Sequence, residues 1–540
     1  MYKFQSNNPK SKKSIDGFLA SGPRNPKFKP ANKRQLERNL PSFGNQRRLE
    51  ELDNFNKADG FRGRSLPQIN QQGRYSALNQ SREKQKFHDY KPSIIKPKKD
   101  RKLKIFARVA MVAMAILIIF SGFMVGKAWW SAHRVFRGGG TALAFDKNID
   151  PHMLNGEGDG RVNILLMGKG GATEAAGGDL TDSLLIMSID PINTSVTMLS
   201  VPRDLWVSPS GLWPMKINAV YTSAKGQMLN KNPKNQDAAE LAGINKLNGV
   251  VEQYLGVHMH YWAMIDFSAF EEAVNTLGGI NVYLPEAYSD YTMLVGNRYL
   301  NLPAGWQHLD GGMALAYARS RHGAARGDFD RGSHQQTVLV GIKDKIMSSG
   351  TYSNPIKVSQ LLGTFGNRVR TSLSIDDMMR VYGIAKQLNS GNIKHADLAQ
   401  EGQAVVKTGA VGDQSVVLPI AGVNDFTKVK AFVRTKLKDG FIIKENPRIV
   451  VLNGTDTVGL AQKRADELKG YGYNVVQVGD ATVKNIQSTT FIDLTRGTKK
   501  YTKRYIEQRL GTTAVDSVDG LDLSQYKTTA DFIIIIGPQG

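Results

Sequence analysis

The sequence predicts an α/β protein. Apolar runs of strand length, such as VNILLM at Val162 to Met167, alternate with amphipathic stretches at helical spacing, such as AAELAGINKLNGVVEQYL at Ala238 to Leu255. The alternation occurs in two blocks, and 540 residues are too many for one core. Positive charge is crowded ahead of both blocks, in front of a charge-free apolar run. The expected organisation is therefore a disordered basic tail over 1–104, a transmembrane helix over 105–126 and a linker over 127–161. A first folded domain over 162–395, a connector over 396–445 and a small C-terminal α/β domain over 446–540 follow.

Residues 1–104 hold 26 lysines and arginines against 9 acidic residues, so most of the formal net charge of +23 sits there. This segment is rich in Asn, Gln and Ser and lacks periodicity, so it cannot bury enough apolar surface to offset the entropy of ordering. A basic tail invites a nucleic-acid reading, but no zinc-finger spacing or RNA-binding aromatic motif accompanies it. Nucleic acid is not an expected partner, because the next stretch explains the charge. Val109 to Gly126 is 18 residues without a charge, preceded by KPKKDRKLK at Lys96 to Lys104 and followed by Trp129 and Trp130. The positive-inside rule keeps the basic end in the cytoplasm and exports everything beyond Trp130, which predicts a single-pass membrane protein. A cleaved signal peptide does not fit, since about 100 polar residues precede the run. The absence of cysteine excludes disulfides, thiol catalysis and thiolate-bound zinc.

Ser131 to Arg161, with GGG at Gly138 to Gly140, reads as a membrane-proximal linker. The strand at Val162 runs into a glycine-rich loop, Gly168 to Gly178, whose spacing fits neither a P-loop nor a dinucleotide fingerprint. LTDSLLIMSID at Leu180 to Asp190 and SVTMLSVPRDLWV at Ser195 to Val207 read as a hairpin. Antiparallel pairing brings Asp182, at the head of one strand, to Arg203 and Asp204 at the tail of the other. Tyr261 to Phe267 and Ile280 to Leu284 read as strands around a helix at Ser268 to Leu277, with His258 and His260 as strand-edge histidines. Helices are expected over Leu309 to Ser320, from near Asp330 through Ile346, over Pro355 to Val369 and over Ile375 to Leu388. In the connector, Val416 to Ile420 is a short apolar run and Asp425 to Leu437 a helix. Ile449 to Asn453, Gly459 to Lys469 and Tyr473 to Val478 form a strand-helix-strand unit, and Ala530 to Ile536 a final buried strand.

The densest chemistry is YARSRHGAARGDFDRGSHQQ, Tyr317 to Gln336. Guanidinium groups match phosphate oxygens two at a time, so Arg319, Arg321, Arg326 and Arg331 beside Asp328 and Asp330 suit a pyrophosphate with a divalent metal. A solvated basic loop before a helix is the plainer alternative. Asp328, Arg331 and Gln335, spaced by three and four, share one face of such a helix, whose N-terminus favours an anion.

YARSRH, GDFDR and HQQTVLVGIKDKI resemble the diagnostic block of the LytR-CpsA-Psr family of cell-wall ligases. TDS at Thr181 to Ser183, SVPRD at Ser200 to Asp204 and KINA at Lys216 to Ala219 match the family in the same order, and 446–540 resembles the LytR C-terminal domain. The resemblance implies a three-layer α/β/α sandwich with a mixed sheet, and a polyprenyl tail in an apolar groove. It implies a phosphotransferase that moves a glycopolymer from a polyprenyl pyrophosphate carrier to peptidoglycan, beside the membrane. Arg203, Arg319, Arg321, Arg331 and Gln335 would bind the pyrophosphate. Asp182 would hold Mg²⁺ (or Mn²⁺), with Asp328 ligating it or orienting an arginine, and Asp204 or Asp328 would be the base. Many members carry an aspartate in the first loop and an arginine two residues before the metal aspartate. Lys169 with Gly170 and Leu180 stand there instead, which leaves Asp179 as a substitute acid. A hydrolase on the same site and a non-catalytic wall-anchoring protein are the alternatives.

Overall fold

The computed structural model describes residues 142–146, 148–170, 179–323, 326–348, 368–484 and 486–538. The expected tail, membrane span and helix at 355–369 lie outside the described residues, apart from the last two positions of that helix. Among the described residues no helix is long and apolar enough to cross a membrane.

The first strands follow the sequence pattern closely. β1 (Val162–Lys169) pairs antiparallel with β2 (Ser183–Asp190), which turns at Thr194 into β3 (Ser195–Ser200), with Leu185 opposite Ser200 and Asp190 opposite Ser195. Thr194 takes a positive φ of 51° at the turn. The expected second strand stops at Ser200, and Pro202 to Leu205 turn the chain. β4 (Trp206–Val207) then pairs with β5 (Met215–Lys216). Helices α1 (Val220–Lys231) and α2 (Gln236–Leu255) form a packed pair, and α2 ends on Gly256 in the left-handed conformation.

β6 (Tyr261–Asp266) lies parallel to β1, and its last residue, Asp266, caps α3 (Phe267–Thr276) by accepting from Ala269 N–H. The chain then builds two small ladders, β7 (Ile280–Leu284) with β10 (Gly305–Leu309) and β8 (Tyr288–Val295) with β9 (Arg298–Leu302). Residues 305–309 are strand, so the helix expected from Leu309 begins two residues later. This is α4 (Gly311–Arg319), capped by Asp310. α5 (Asp328–Ser348) follows. β11 (Val369–Thr371), α6 (Ile375–Ala385) and β12 (Ile393–Asp397) complete a six-stranded mixed sheet in the order β11-β6-β1-β2-β3-β12.

Period-2 alternation sends side chains of one strand to two cores. Leu165 and Met167 join Tyr221, Leu247 and Val251 on one face, while Val162 and Ile164 join Leu339, Val381 and Ile384 on the other. Helices therefore cover both faces of the sheet. The segment read as a connector belongs to the first of these cores: Val417 from β14 (Gln414–Pro419, paired with β13, Val406–Val411) is buried there. Val429, Phe432 and Val433 from α7 (Thr427–Lys436) pack beside it. Residue 395 itself lies inside β12.

After α8 (Gly440–Glu445), the C-terminal unit is a four-stranded sheet in the order β16-β15-β18-β17, formed by β15 (Arg448–Asn453), β16 (Asn474–Asp480), β17 (Thr490–Asp493) and β18 (Phe532–Ile536). α9 (Leu460–Tyr471) and α10 (Lys500–Leu510) pack on it. Part of the expected linker is structured and docks here. Ile149 and Leu154 enter this core, and Arg509 forks onto Glu157 at 2.8 and 3.0 Å. The carboxylate of Asp439, 2% exposed, accepts from the N–H groups of Gly158, Gly160, Phe441 and Ile442 and from the Tyr505 hydroxyl. Gly160 has no room for a side chain, since a Cβ there would sit 2.4 Å from Asp439 Oδ1.

Candidate active site

The β2-β3 pairing does what the end charges predicted. Arg203 Nη1 reaches Asp182 Oδ1 at 3.1 Å, and Arg203 Nε lies 3.6 Å from Asp204 Oδ2 and 3.7 Å from Asp328 Oδ1. α5 supplies the facing half. Arg331 grips Asp328 through Nη1 to Oδ1 at 2.8 Å and Nη2 to Oδ2 at 3.1 Å, the i, i+3 spacing on one helical face. Gln335, one turn on, donates through Nε2 to Ser183 Oγ at 2.8 Å and to the Ala318 carbonyl at 3.2 Å. α5 can come this close to β3 because residue 332 is glycine. A Cβ there would lie 2.4 Å from Ser200 Oγ. Asp182, Asp328, Arg331, Gly332 and Gln335 line one small cleft.

Electrostatics tie these groups together. Burial works against the Arg203 charge, but Asp182, Asp328 and Asp204 around it outweigh that and raise its pKa. Arg331 is 7% exposed; burial, with Arg203 nearby, pulls its pKa below the ordinary value despite Asp328. Two shielded atoms in the cluster have no aligned hydrogen-bond partner, Arg203 Nε and Asp328 Oδ1. One is a donor suited to an anion, and the other is an acceptor suited to a cation or a proton.

Arg319 and Arg321 do not line this cleft. Arg319 places its guanidinium 4.7 Å from the Phe267 ring centroid, a cation-π contact, and Arg321 is exposed. The turn that carries them is held by Asp290, a fully buried residue that the sequence reading passed over. Its carboxylate accepts from Ser320 Oγ, Arg321 N–H, His322 N–H and Thr292. Burial would raise its pKa, but those donors hold it well below the usual carboxylate range. Arg326 pairs with Asp330 and Asp397, so Asp330 is spent outside the cleft.

Asp179, the substitute acid, is committed elsewhere. One oxygen is 3.0 Å from Lys169 Nζ and the other is bound by Lys225, so two ammonium groups neutralise it and its pKa falls despite burial. The sequence reading also missed two contacts from the KINA stretch. Asn218 Nδ2 donates to Asp182 Oδ1 at 3.0 Å, and Lys216 Nζ pairs with Asp204 Oδ1 at 2.8 Å. Those residues were visible as a motif, but nothing local in the sequence names their partners.

Three histidines make contacts within the fold away from the cleft. His334 is buried between Tyr288 and Tyr317, with ring centroids 4.6 and 4.3 Å away, and burial lowers its pKa. His258 pairs with Glu252, and His260 Nδ1 accepts from Asn163 N–H.

No group of three or more His, Cys, Asp or Glu among the described residues is arranged to hold a metal alone. Asp182 and Asp328 nevertheless converge on one cationic group, Arg203, and Asp328 Oδ1 keeps an unaligned acceptor. That donor set fits Mg²⁺, which commonly takes one or two carboxylates and completes its shell with water and phosphate oxygens.

A family model described as "LytR_cpsA_psr family" matches residues 138–417, and one described as "LytR cell envelope-related transcriptional attenuator" matches residues 446–539. The chain is 28% identical over 366 residues to the cell wall biosynthesis protein LcpA of Corynebacterium glutamicum, covering 60% of this chain and 67% of that one. It is 29% identical over 226 residues to the polyisoprenyl-teichoic acid--peptidoglycan teichoic acid transferase TagV of Bacillus subtilis, covering 40% of this chain and 52% of TagV. These alignments thus span about half to two thirds of the relatives' own lengths. Among solved structures, B. subtilis TagV gives a TM-score of 0.39 at 24% identity, covering 51% of this chain and 97% of that one. TagT bound to LI-WTA gives 0.39 at 22%, covering 56% and 98%.

Proposed function

The chain belongs to the LytR-CpsA-Psr family, and on that premise we propose that it transfers a glycopolymer from a polyprenyl pyrophosphate carrier to peptidoglycan. The observation that carries this reading is the Arg203 cluster, in which Arg203 and Arg331 meet three carboxylates, two of them, Asp182 and Asp328, lining the cleft, with one donor and one acceptor left unaligned. Phosphoryl transfer is accelerated mainly by positioning and electrostatics, and this cluster supplies both.

In this reading Arg203 and Arg331 hold the pyrophosphate oxygens, and Gln335 fixes the cleft wall by tying Ser183 to Ala318. Arg319 and Arg321 add charge at the rim. Asp182 would hold Mg²⁺, which supplies charge neutralisation of the pyrophosphate when bound. A sugar hydroxyl of the acceptor attacks the glycan-side phosphorus. The new P–O bond forms as the bridging P–O bond breaks, and polyprenyl phosphate leaves with the electron pair. Asp328 Oδ1 takes the hydroxyl proton. It is preferred to Asp204, which does not line the cleft. The charge-free run at 109–126 would anchor the chain in the cell membrane with both folded domains outside.

The test incubates the purified full chain with a polyprenyl-pyrophosphate glycan and peptidoglycan oligomers, with Mg²⁺ or with EDTA. The proposal expects metal-dependent attachment of glycan to the oligomer. Pyrophosphate cleavage without attachment would replace it with the hydrolase reading, and binding without turnover with the anchoring one.

A further inference from the structure

A second cavity, of about 430 Å³, lies away from the cleft. Its walls come from the docked segment at Gly156 to Asp159, the turn after α2, helix α7 with the residues that follow it, and the C-terminal domain through Tyr471 and Arg509. Asn163 of β1 reaches it, whereas Gly168 of the same strand pairs with Ser183 beside the cleft. The two sites are thus toward opposite ends of β1, whose Asn163 and Gly168 are about 17 Å apart at ~3.3 Å per residue.

Most of the charges around the cavity are already paired. Arg509 is satisfied by Glu157 and Glu467, His258 by Glu252, and Asp439 by its N–H donors. Asp159 accepts one backbone N–H, from Asn155. On α7, Lys430 and Arg434 lie one turn apart on the same face. Lys430 runs its stem over Gly256 and forms no ion pair among the described residues. Arg434 spends Nη1 on the Tyr471 hydroxyl at 2.7 Å, while its Nε is shielded from solvent and has no partner. Val257, Val433 and Leu437 supply apolar wall, and the Arg509 guanidinium covers Tyr471 at 3.7 Å from its ring centroid.

We propose that this cavity is a second binding site, built jointly by the two domains, for a sugar that bears an acidic group. Lys430 and Arg434 take the anion, Asp159 accepts a hydroxyl, and Val257, Val433 and Leu437 meet its C–H faces. A volume of about 430 Å³ is in the range of small-molecule sites. Phosphate and carboxylate offer the same recognition chemistry here. A site remote from the cleft would hold a second stretch of a polymer or an independent ligand, and its occupancy does not depend on turnover.

The experiment titrates the full chain in detergent with N-acetylglucosamine 1-phosphate, N-acetylmuramic acid and uncharged N-acetylglucosamine, followed by calorimetry. At least one acidic sugar should bind ten-fold or more tightly than the uncharged one, and which of them binds identifies phosphate or carboxylate as the preferred group. Arg434→Gln should weaken that binding at least ten-fold, while Arg331→Gln in the cleft leaves it within about two-fold. Lys430→Gln, which breaks no ion pair among the described residues and keeps the stem that packs on Gly256, repeats the test if Arg434→Gln fails to fold. Binding that survives both α7 substitutions, binding lost with Arg331→Gln instead, or equal binding of charged and uncharged sugars would overturn the proposal, as would no binding of either acidic sugar.

Discussion

Replacing Gly332 by alanine adds one methyl group where α5 crosses β3. The new Cβ would stand 2.4 Å from Ser200 Oγ and 2.6 Å from Ser200 Cβ, about 1 Å inside ordinary carbon contact. Gln336 Nε2 already donates to that Oγ at 2.8 Å, and the Ser200 Cβ is fixed by its strand, so the helix must give. Overpacking of this kind costs about 1 to 3 kcal/mol, and alanine returns about 1 kcal/mol of helix propensity, so net stability should fall by no more than about 2 kcal/mol. The active-site consequence is larger. Asp328, Arg331 and Gln335 ride on the same helix, and a displacement near 1 Å at a reacting centre costs on the order of 100-fold in rate. Gly332→Ala should therefore lose about 100-fold in transfer with a thermal shift of only a few degrees. Ser200→Gly in the same chain should restore much of the rate by clearing the space. A Gly332→Ala protein with unaltered turnover, or no recovery in the double variant, would refute the packing argument.

Burial and the neighbouring His258 push the His260 pKa down to about 4, so the folded protein keeps this imidazole neutral while the unfolded chain protonates near 6.5. Its contribution to stability is complete above about pH 6.5 and is lost as pH falls toward 4, by roughly 3 kcal/mol; a histidine NMR titration should put its midpoint near 4, and a midpoint near 6.5 would contradict this. Asp439→Ala leaves four inward N–H groups without an acceptor. It should lower the unfolding free energy by at least about 3 kcal/mol, read by thermal melting, and expose residues 148–161 to protease. Glu157→Gln weakens a half-buried fork to Arg509 and should speed the same cleavage with a smaller loss, about 1 to 3 kcal/mol.

The parts of the site that were legible in the sequence are those set by local period. Strand alternation fixed the β2-β3 hairpin and so delivered Arg203 to Asp182, and helical spacing put Asp328, Arg331 and Gln335 on one face. What local period cannot show is the long-range partner. Asn218 and Lys216 were visible as a motif, yet their acceptors lie 36 and 12 residues away in the chain. Asp179 read as a spare acid because Lys225, which neutralises it, comes from α1. The arginine-dense turn was weighted by charge alone, and the buried Asp290 that anchors it sits on a different ladder. The segment at 148–161 is short and irregular, and the elements of 396–445 are short, so local pattern does not show that Leu154 and Phe441 enter one core, or Phe432 and Leu247 another.

The account rests on Arg203 and Arg331 acting as planar clamps on a pyrophosphate, and single-turnover transfer by Arg203→Lys and Arg331→Lys tests that most directly. Lysine keeps the charge but loses the two-pronged fork. Each substitution should slow transfer by 100-fold or more while the thermal melt shows the chain still folded. Wild-type rates in both lysine variants would contradict it.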